Sequence, residues 1–310
     1  MSQLDIILVS YNTAEYTKRA IESIYAETHD TEFKIIMVDN DSIDNSVDLI
    51  ASEFPQVEII QTGANLGFAG GVNIGAKASD SKYVLLLNPD TVILDKAIDK
   101  LMAFAHKEPK AGIWGGITLN DDLTLNPNNA RARLSTRTLL FSALGLSKVF
   151  NKSCFFNHDN YGCWDRKSDR EVDVITGCFF LTPRPLWEEL EGLDETFFMY
   201  AEEADYCIRA IKKGYQPKVT ADAKIIHHGG VSEANLSGKM LKLLKGKAEL
   251  INKHASDWQK PLHKSLLLAH VVNKFIALKA FSLISDSKKT TLDEWRIVYQ
   301  KRHEWLKGYR

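Results

Sequence analysis

Carboxylates and a histidine that end apolar runs are the residues of this sequence best placed to do chemistry. Asp90 ends the stretch LLLNPD, and His227 ends the stretch AKIIH. An aspartate at the end of a buried strand, with nothing nearby in sequence to neutralise it, suits a bound cation. One carboxylate and one neutral imidazole leave positions on Mg²⁺ or Mn²⁺ that phosphate oxygens and water fill. A strand-end histidine taken alone is more often a surface or hydrogen-bonded residue.

The densest group of carboxylates lies in DETFFMYAEEADYCIR, residues 194–209. Glu202 and Glu203 follow aromatic residues and precede apolar positions at helical spacing, which predicts that they lie near a helix N-terminus. Negative charge is favoured there, and a carboxylate beside an aromatic pocket suits a general base. Acidic residues are also ordinary in the first turn of a helix, so both interpretations stay open at this point.

The elements that must position these residues alternate in type along the first hundred residues. Apolar, β-branched runs predict strands, and apolar residues at helical spacing predict helices. The strands are expected at 5–9, 33–38, 57–61 and 83–87, and the helices at 13–26, 42–54 (capped by Ser42 or Asp44) and 67–78. Strand and helix at this pitch predict right-handed βαβ units and a mostly parallel sheet buried on both faces. The fold class is therefore α/β.

Ligands of such sheets bind beyond the carboxyl ends of the strands, so the polar residues that follow each strand are informative. They are Ser10, Tyr11 and Asn12 after the first strand, Asp39, Asn40 and Asp41 after the second, Asn65 and Gly67 after the third, and Asn88 and Asp90 after the fourth. Each of them could also simply cap the following helix. Four loops with such residues at one rim favour a binding site.

Several classes of protein are disfavoured. The glycine-rich NLGFAGGVNIG follows the third strand and lacks the GxGxxG spacing, which argues against a nicotinamide enzyme. The formal net charge of −1 does not indicate a nucleic-acid partner. The four cysteines form no CxxC pair, which predicts neither a zinc knuckle nor a dense disulfide framework and favours a reducing compartment. No signal peptide and no clear transmembrane helix are expected.

The order of the motifs resembles family 2 glycosyltransferases, which have the nucleotide-sugar-binding GT-A fold. Within that family the chain is most similar to the bacterial rhamnosyltransferase-like branch of surface polysaccharide assembly. The resemblance covers roughly residues 3–235 and rests on VSYN (9–12), VDNDSIDNS (38–46), NLGFAGGVNIG (65–75), LLLNPDT (85–91), VITGCFFLTPR (174–184), FFMYAEEADYCIR (197–209) and HHGGVS (227–232).

The resemblance implies a role for each matching residue. Asp39 would read the pyrimidine base, the loop of Ser10, Tyr11 and Asn12 would hold the nucleotide, and Asn65 and Gly67 would lie near the ribose. Asp90 would be the last acid of a DxD metal motif, and His227 would complete the metal site. In the family's Glu-Asp-x-Asp motif, Glu203 (with Glu202 as the alternative) would be the catalytic base and Asp205 the last acid, and Gly177 would permit close approach of the donor sugar or acceptor. Two positions depart from the pattern, because Asn88 replaces the first Asp of DxD and Glu203 stands where Asp is commoner.

The implied activity is inverting transfer of a sugar from a dTDP- or UDP-linked donor, with Mg²⁺ or Mn²⁺, to a hydroxyl of a glycan or lipid-linked glycan. Rhamnose from dTDP-rhamnose is the favoured donor, and UDP-hexoses are the alternative. A nucleotidyltransferase would carry a glycine-rich basic loop after the first strand, where this chain has SYNTAEY. A non-catalytic nucleotide-sugar-binding relative would be expected to have lost Glu203, Asp90 or His227.

The C-terminal region differs in composition. Residues 239–289 hold eleven lysines against three acidic residues, on sequences with amphipathic helical spacing. Such helices can lie on an anionic membrane, or they can pack on the catalytic domain with the lysines outside. We expect a catalytic domain at 1–236, with a nucleotide half (about 1–92) and an acceptor half (about 93–236), and a helical appendage at 237–310. A cytoplasmic protein, peripheral on the inner face of the cell membrane and able to self-associate, would fit this organisation.

Overall fold

A computed structural model describes residues 2–230, 235–282 and 287–309. Val231 and Ser232 of the HHGGVS motif lie outside the described residues. The chain forms two compact units. Unit 1 comprises Met1–Arg131, Arg166–Phe198 and Glu202–Ser232, and unit 2 comprises Ala132–Asp165, Met199–Ala201 and Glu233–Arg310. The sequence placed a single division at residue 236, whereas the segment 132–165 groups with the C-terminal helices because its own helix packs against them.

Unit 1 contains all the strands of the described residues. They are β1 (Leu4–Ser10), β2 (Phe33–Asp39), β3 (Glu58–Gln61), β4 (Tyr83–Leu87), β5 (Thr91–Leu94), β6 (Trp114–Leu119), β7 (Leu125–Asn126), β8 (Ala130–Arg131), β9 (Arg170–Glu171), β10 (Val174–Ile175), β11 (Phe179–Pro183) and β12 (Lys218–His227). Its helices are α1 (Ala14–Glu27), α2 (Ser46–Glu53), α3 (Gly67–Ala78), α4 (Ala97–Lys107), α7 (Arg184–Glu189) and α8 (Glu202–Lys212); α5 and α6 belong to unit 2.

The central sheet has the strand order β3-β2-β1-β4-β11-β6-β12-β5. Strands β3, β2, β1 and β4 are parallel, as the sequence predicted, so their carboxyl ends meet at one edge. Strand β11 pairs antiparallel with both β4 and β6, and β12 pairs parallel with β6. The predicted α/β class with a largely parallel sheet is therefore confirmed, and the later, antiparallel strands extend it.

The core of unit 1 is built on the sheet because its central strands are apolar on both faces. Leu4, Ile6 and Leu8 on one face of β1 are buried beneath α1 and α4. On the other face α3 lies very close to the sheet, since an ideal Cβ at Gly75 would lie only 2.7 Å from Ile7 Cγ2. The glycines of NLGFAGGVNIG thus allow close helix packing, which was one of their two interpretations.

Helix α2 begins four residues later than predicted, at Ser46 with Asn45 as its N-cap residue. Asp44, one of the two predicted capping residues, does contact the start of α2, because its Oδ1 accepts hydrogen bonds from the backbone N of Ser46 at 3.1 Å and from the Ser46 hydroxyl. Its Oδ2 also accepts a hydrogen bond from Ala14 N at 3.0 Å. Ser42, the alternative, instead accepts a hydrogen bond from Asn12 N at 3.0 Å, a contact between two loops that spacing along one helix cannot reveal.

Unit 2 is helical in its described residues. Its helices are α5 (Thr136–Ala143), α6 (Leu146–Val149), α9 (Leu236–His254), α10 (Gln259–Ser282), α11 (Ser287–Gln300) and α12 (Arg302–Trp305). Leu244, Ala248 and Ile251 of α9 and Val271 and Leu278 of α10 are buried together in its core. The apolar faces that the sequence offered to a membrane are therefore the faces that pack inside unit 2.

Two further findings in the chain differ from the expectations. Helix α10 is long and apolar enough to cross a membrane by length and composition alone, and 17% of its most apolar 18-residue window is buried within the protein.

A disulfide joins Cys154 to Cys163, whereas Cys178 and Cys207 are buried free thiols. The sequence did not predict this bridge, because only the folded turns of the segment bring the two Cα atoms to 4.9 Å.

Candidate active site

Asp39, at the carboxyl end of β2, is buried beneath the loops that follow the parallel strands. Its Oδ2 accepts a hydrogen bond from Ser42 N at 3.2 Å. Among the described residues, the buried Oδ1 of Asp39 has no hydrogen-bond partner. A buried acceptor without a hydrogen bond costs free energy of folding, so such an atom is expected to accept a hydrogen bond from a ligand.

The loops around Asp39 are tied together by asparagines. Asn12, in a left-handed conformation with φ of 54°, accepts a hydrogen bond from Ile43 N at 2.8 Å and so joins the loops after β1 and β2. Asn40 donates to Asn65 Oδ1 at 3.2 Å and accepts from Leu66 N at 3.0 Å, which joins the loops after β2 and β3. The loops at this edge of the sheet thus form a connected network of polar side chains.

The predicted residues of the first loop differ in accessibility. The Ser10 hydroxyl is buried 3.1 Å from Thr13 Oγ1 and 3.2 Å from Thr17 Oγ1, so its contacts are internal. Tyr11 is exposed beside it. Ser10 is therefore arranged to hold the start of α1 in place, and Tyr11 is the side chain of this pair that a nucleotide can reach.

Asp90, Asn88 and His227 come together as the sequence predicted. Nε2 of His227 lies 3.3 Å from Asp90 Oδ1 and 3.3 Å from the Asn88 side-chain amide. Asp90 Oδ2 accepts a hydrogen bond from Gly229 N at 3.0 Å. Strand β12 pairs with β5, with His227 opposite Thr91, and this register brings together residues that are 137 positions apart in sequence.

The charges of Asp90 and His227 shift each other's pKa values. Burial alone would raise the pKa of the Asp90 carboxyl, but the hydrogen bond and charge of His227 hold it below its usual value. Burial alone would lower the pKa of His227, yet the nearby Cys178 sulfur and the Asp90 carboxylate raise it to about 11. A raised pKa favours the protonated imidazole, and a cation bound by Asp90 and His227 would have to displace that proton.

A divalent metal fits these residues only with help from its ligand. Within residues 2–230, 235–282 and 287–309, no three His, Cys, Asp or Glu side chains are grouped to hold a metal ion. Asp90 and His227 supply one oxygen and one nitrogen, and the Asn88 amide can turn its oxygen toward the same point. Mg²⁺ typically has this arrangement, with one or two carboxylates and the remaining positions filled by phosphate oxygens and water.

Glu202 and Glu203 begin α8, as predicted, and the two side chains differ in burial. Glu202 is buried, whereas Glu203 is half-exposed. Gly177 lies beside both Phe68 and Glu203, since an ideal Cβ on it would be 3.2 Å from Phe68 Cε1 and 4.0 Å from Glu203 Cβ. Gly177 therefore leaves room next to the one of these two carboxylates that a ligand can approach.

The backbone conformation and the close packing at Gly67 both require a residue without a side chain. It adopts φ of 73°, and a Cβ on it would run into the backbone oxygen of Phe198. That oxygen accepts a hydrogen bond from Phe68 N at 2.9 Å. The first turn of α3 thus holds the chain that leads to α8, and a side chain at Gly67 would separate them.

Asp205, the last acid of the motif, is fully buried and serves the fold. Its Oδ2 accepts a hydrogen bond from Arg209 Nε at 2.7 Å, one helical turn along α8. Arg209 also donates to the backbone oxygens of Leu190 and Gly192. This network joins α8 to the turn after α7.

Removing the Asp205 carboxylate is expected to destabilise the protein. Asp205→Ala leaves the guanidinium of Arg209 without its anion in a mostly buried place, which costs about 3 kcal/mol in the free energy of unfolding. Chemical denaturation measures the change. Asp257→Ala is the control, because it removes an exposed partner of Lys260 and is expected to leave the midpoint unchanged. Equal midpoints for the two variants would contradict the structural role of Asp205.

Two residues at the site carried no assigned role in the sequence. Asn40 connects two loops through its side-chain hydrogen bonds to Asn65 and Leu66, and the sequence pointed to it only by its position directly after Asp39. Cys178 is buried, contacts His227, and its backbone oxygen accepts a hydrogen bond from Asn88 N at 3.2 Å. In the sequence, Cys178 was marked only by its position next to Gly177 in VITGCFF.

Comparison with known proteins identifies the family. The sequence model of Glycosyl transferase family 2 matches residues 5–180, which include Asp39, Asp90 and Gly177. The chain belongs to glycosyl transferase family 2. It is therefore a glycosyltransferase, and the resemblance inferred from its motifs is confirmed.

The chain is similar to characterised relatives over most of its length. It is 24% identical over 307 residues to the N-acetylglucosaminyl-diphospho-decaprenol L-rhamnosyltransferase of Mycobacterium tuberculosis, a match that covers 94% of this chain and 98% of the relative. It is 28% identical over 236 residues to the rhamnosyltransferase WbbL of Escherichia coli K12, covering 72% of this chain and 82% of WbbL.

Solved structures agree on the fold. The mannosyltransferase PcManGT of Pyrobaculum calidifontis, solved in complex with GDP-Man and Mn²⁺, superimposes with a TM-score of 0.63 at 13% identity, covering 98% of this chain and 87% of that chain. TarS 1–349 of Staphylococcus aureus superimposes with a TM-score of 0.52 at 13% identity, covering 98% of this chain and 81% of that chain. The predicted GT-A fold is confirmed by these neighbours.

Proposed function

We propose that this glycosyltransferase moves rhamnose, with inversion, from dTDP-rhamnose to a hydroxyl of a glycan or lipid-linked glycan in surface polysaccharide synthesis. The observation that carries the proposal is the buried Oδ1 of Asp39, which has no hydrogen-bond partner within residues 2–230, 235–282 and 287–309 and lies at the same sheet edge as Asp90 and His227. The similarity to two rhamnosyltransferases supports the choice of sugar. UDP-hexoses are the alternative donors.

Asp39 would read the base of the donor. Oδ1 of Asp39 can accept the N3–H of thymine or uracil, and each of these bases carries that donor. Cytosine has no N3–H, and guanine presents a different edge. Tyr11 and Asn12 would line the same cleft, with Asn65 and Gly67 toward the ribose.

Asp90, His227 and the Asn88 amide would hold Mg²⁺ or Mn²⁺ against the diphosphate. When bound, such an ion stabilises the negative charge that develops on the leaving diphosphate. The chain itself supplies the anion that holds the ion, through a carboxylate whose pKa is already low. Gly229 N, bonded to Asp90 Oδ2, fixes the orientation of that carboxylate.

Glu203 would act as the general base. The oxygen of the acceptor hydroxyl attacks the anomeric carbon as the bond from that carbon to the diphosphate oxygen breaks, and Glu203 takes the hydroxyl proton. Attack opposite the leaving group inverts the anomeric centre in one step. Glu203 is favoured over Glu202 because it is half-exposed and faces the space beside Gly177.

Nucleotide release tests this proposal. The protein is incubated with dTDP-rhamnose, UDP-glucose, UDP-galactose or UDP-N-acetylglucosamine, and the released nucleotide diphosphate is measured. We expect selective use of dTDP-rhamnose.

Calorimetry measures the binding of dTDP, UDP and GDP. For Asp39→Asn we expect a loss of dTDP affinity of about tenfold or more, since a buried hydrogen bond to a charged acceptor is removed. Asp48→Asn, on the exposed part of α2, is the control. Tight binding of GDP that Asp39→Asn leaves unchanged would refute the assignment.

A membrane-facing role for unit 2 would suit a lipid-linked acceptor. Several large apolar side chains are exposed on α5, on α6 and the loop after it, and on α10, and we call them the apolar patch: Leu140, Leu144, Val149, Phe150, Phe155 and Ile276. Asn273 donates to Ala143 O at 2.8 Å, so these helices adjoin. Lys148, Lys152 and Lys279 are exposed nearby, and this mixture suits an anionic lipid surface.

Vesicle co-sedimentation tests the patch. The full chain is expected to bind phosphatidylglycerol vesicles more than phosphatidylcholine vesicles, because apolar burial and charge attraction act together. Val149→Asp should weaken that binding, whereas Leu123→Asp, which changes another exposed aliphatic side chain in unit 1, should not. Equal binding by both variants would refute the patch. The proposed location on the cytoplasmic face of the membrane would be consistent with such binding, and self-association stays a prediction.

A further inference from the structure

The three residues just before Glu202 and Glu203 belong to unit 2. Met199–Ala201 group with the C-terminal helices, whereas Glu202 begins α8 in unit 1. The backbone oxygen of Met199 accepts a hydrogen bond from the hydroxyl of Tyr309 at 2.8 Å. A residue next to the C-terminus of the chain is therefore bonded to the segment that leads directly into the proposed base.

This segment has an unfavourable backbone conformation that its neighbours must maintain. Tyr200 and Ala201 have φ of 68° and 82°, in the left-handed region that residues with a Cβ rarely adopt. Gly246 of α9 lies against them, since a Cβ on it would run into Tyr200 O. Strained residues persist at functional sites where the surroundings over-determine them, so the contacts on Met199–Ala201 are expected to matter for the site.

Tyr309 is itself held firmly. Its backbone N donates to Glu249 Oε2 at 3.0 Å, and Glu249 is fully buried on α9. Lys245 Nζ lies 4.7 Å from the centre of the Tyr309 ring. Asn252 donates to Lys307 O at 2.9 Å, which fixes the chain just before Tyr309. These bonds make the tail a rigid support whose hydroxyl has a defined direction.

We propose that Tyr309 is a positioning residue for catalysis, which acts by holding Met199–Ala201 and thereby sets the direction in which Glu203 leaves the start of α8. The proposal rests on the proposed role of Glu203. Loss of the Tyr309 hydroxyl frees the strained segment, and the carboxylate of Glu203 then spends less time in the position that takes the acceptor proton. Small displacements of a catalytic group reduce turnover strongly.

The test compares Tyr309→Phe with Tyr299→Phe in the full-length protein. Tyr309→Phe removes the hydroxyl and keeps the ring over Lys245, whereas Tyr299→Phe removes a hydroxyl from α11 and keeps the stacking of that ring on Phe275. Hydrogen exchange is measured on the peptide of residues 197–206, which needs no substrate. Turnover of dTDP-rhamnose gives kcat and KM separately, and thermal unfolding gives the midpoint.

For Tyr309→Phe we expect faster exchange at 197–206, kcat lower by about tenfold and an unchanged KM for the donor. Tyr299→Phe should match the unaltered protein in all three. Unchanged exchange and unchanged kcat in Tyr309→Phe would overturn the proposal. So would a loss of kcat that comes with a lower midpoint and is shared by Tyr299→Phe, because that is general destabilisation. Binding of dTDP by Asp39 tests the proposed function separately, so failure of one is distinguishable from failure of the other.

Discussion

Glu203→Gln is expected to reduce sugar transfer by about 10²–10⁴-fold while dTDP still binds, because the amide cannot take the proton of the acceptor hydroxyl. The side chain keeps its size, so the space beside Gly177 and the start of α8 are preserved. Transfer is measured as released dTDP in the presence of acceptor, and binding is measured by calorimetry on the same preparation.

Glu202→Gln is the matched comparison for this prediction. The two residues are neighbours at the start of α8, but Glu202 is buried and Glu203 is half-exposed. We expect Glu202→Gln to retain most of the transfer activity and to lower the unfolding midpoint. If Glu202→Gln lost transfer and Glu203→Gln kept it, the assignment of the base would be reversed.

Asp90→Asn is expected to lower the metal-dependent rate of transfer by about 10²-fold or more, since charge stabilisation of the leaving diphosphate is lost. The substitution keeps the shape of the residue but removes the charge that would hold the cation, and His227 then lacks its anion at 3.3 Å. The rate is measured against Mn²⁺ and Mg²⁺ concentration and with EDTA, which should reduce the unaltered enzyme to a similar level.

Asp121→Asn is the control for metal binding. Oδ1 of Asp121 lies 2.6 Å from Nδ1 of His228, the residue that follows His227, but the Asp121 side chain is largely exposed. It should leave the rate and its metal dependence unchanged. A rate for Asp90→Asn that equals that of the unaltered enzyme, or a rate indifferent to EDTA, would remove Asp90 from the metal site.

Much of the nucleotide half could be predicted from residue types alone. Helix α3 and strand β4 have the predicted bounds, because a run of small residues and a run of continuous apolar residues are strong local signals. The convergence of Asp39 and Asp90 followed from one topological rule, that parallel strands share the edge where their carboxyl ends lie. The proximity of Asp90 and His227 was also predicted, although the pairing of β12 with β5 that brings them together was not.

Some features depend on contacts that local patterns do not reveal. Ser42 has capping chemistry, but its hydroxyl accepts a hydrogen bond from Asn12 N in the loop after β1 and does not cap α2. The motif that contains Asp205 does not show that its carboxylate forms an internal ion pair with Arg209. The apolar face of α9 suited either a membrane or a protein core, and residues of this face are buried in the core of unit 2.

The sequence by itself determined the family, the parallel strands and the set of polar residues at their ends, because these depend on local pattern and motif order. Only the tertiary structure decided which glutamate is accessible and which helices cover the apolar faces. It also decided which carboxylate oxygen of Asp39 has no hydrogen-bond partner in the described part of the chain. It also brought Tyr309 to Met199, 110 residues earlier in the chain. Burial and hydrogen-bond satisfaction are properties of the packed chain, so they follow from neighbours in space that the order of residues does not specify.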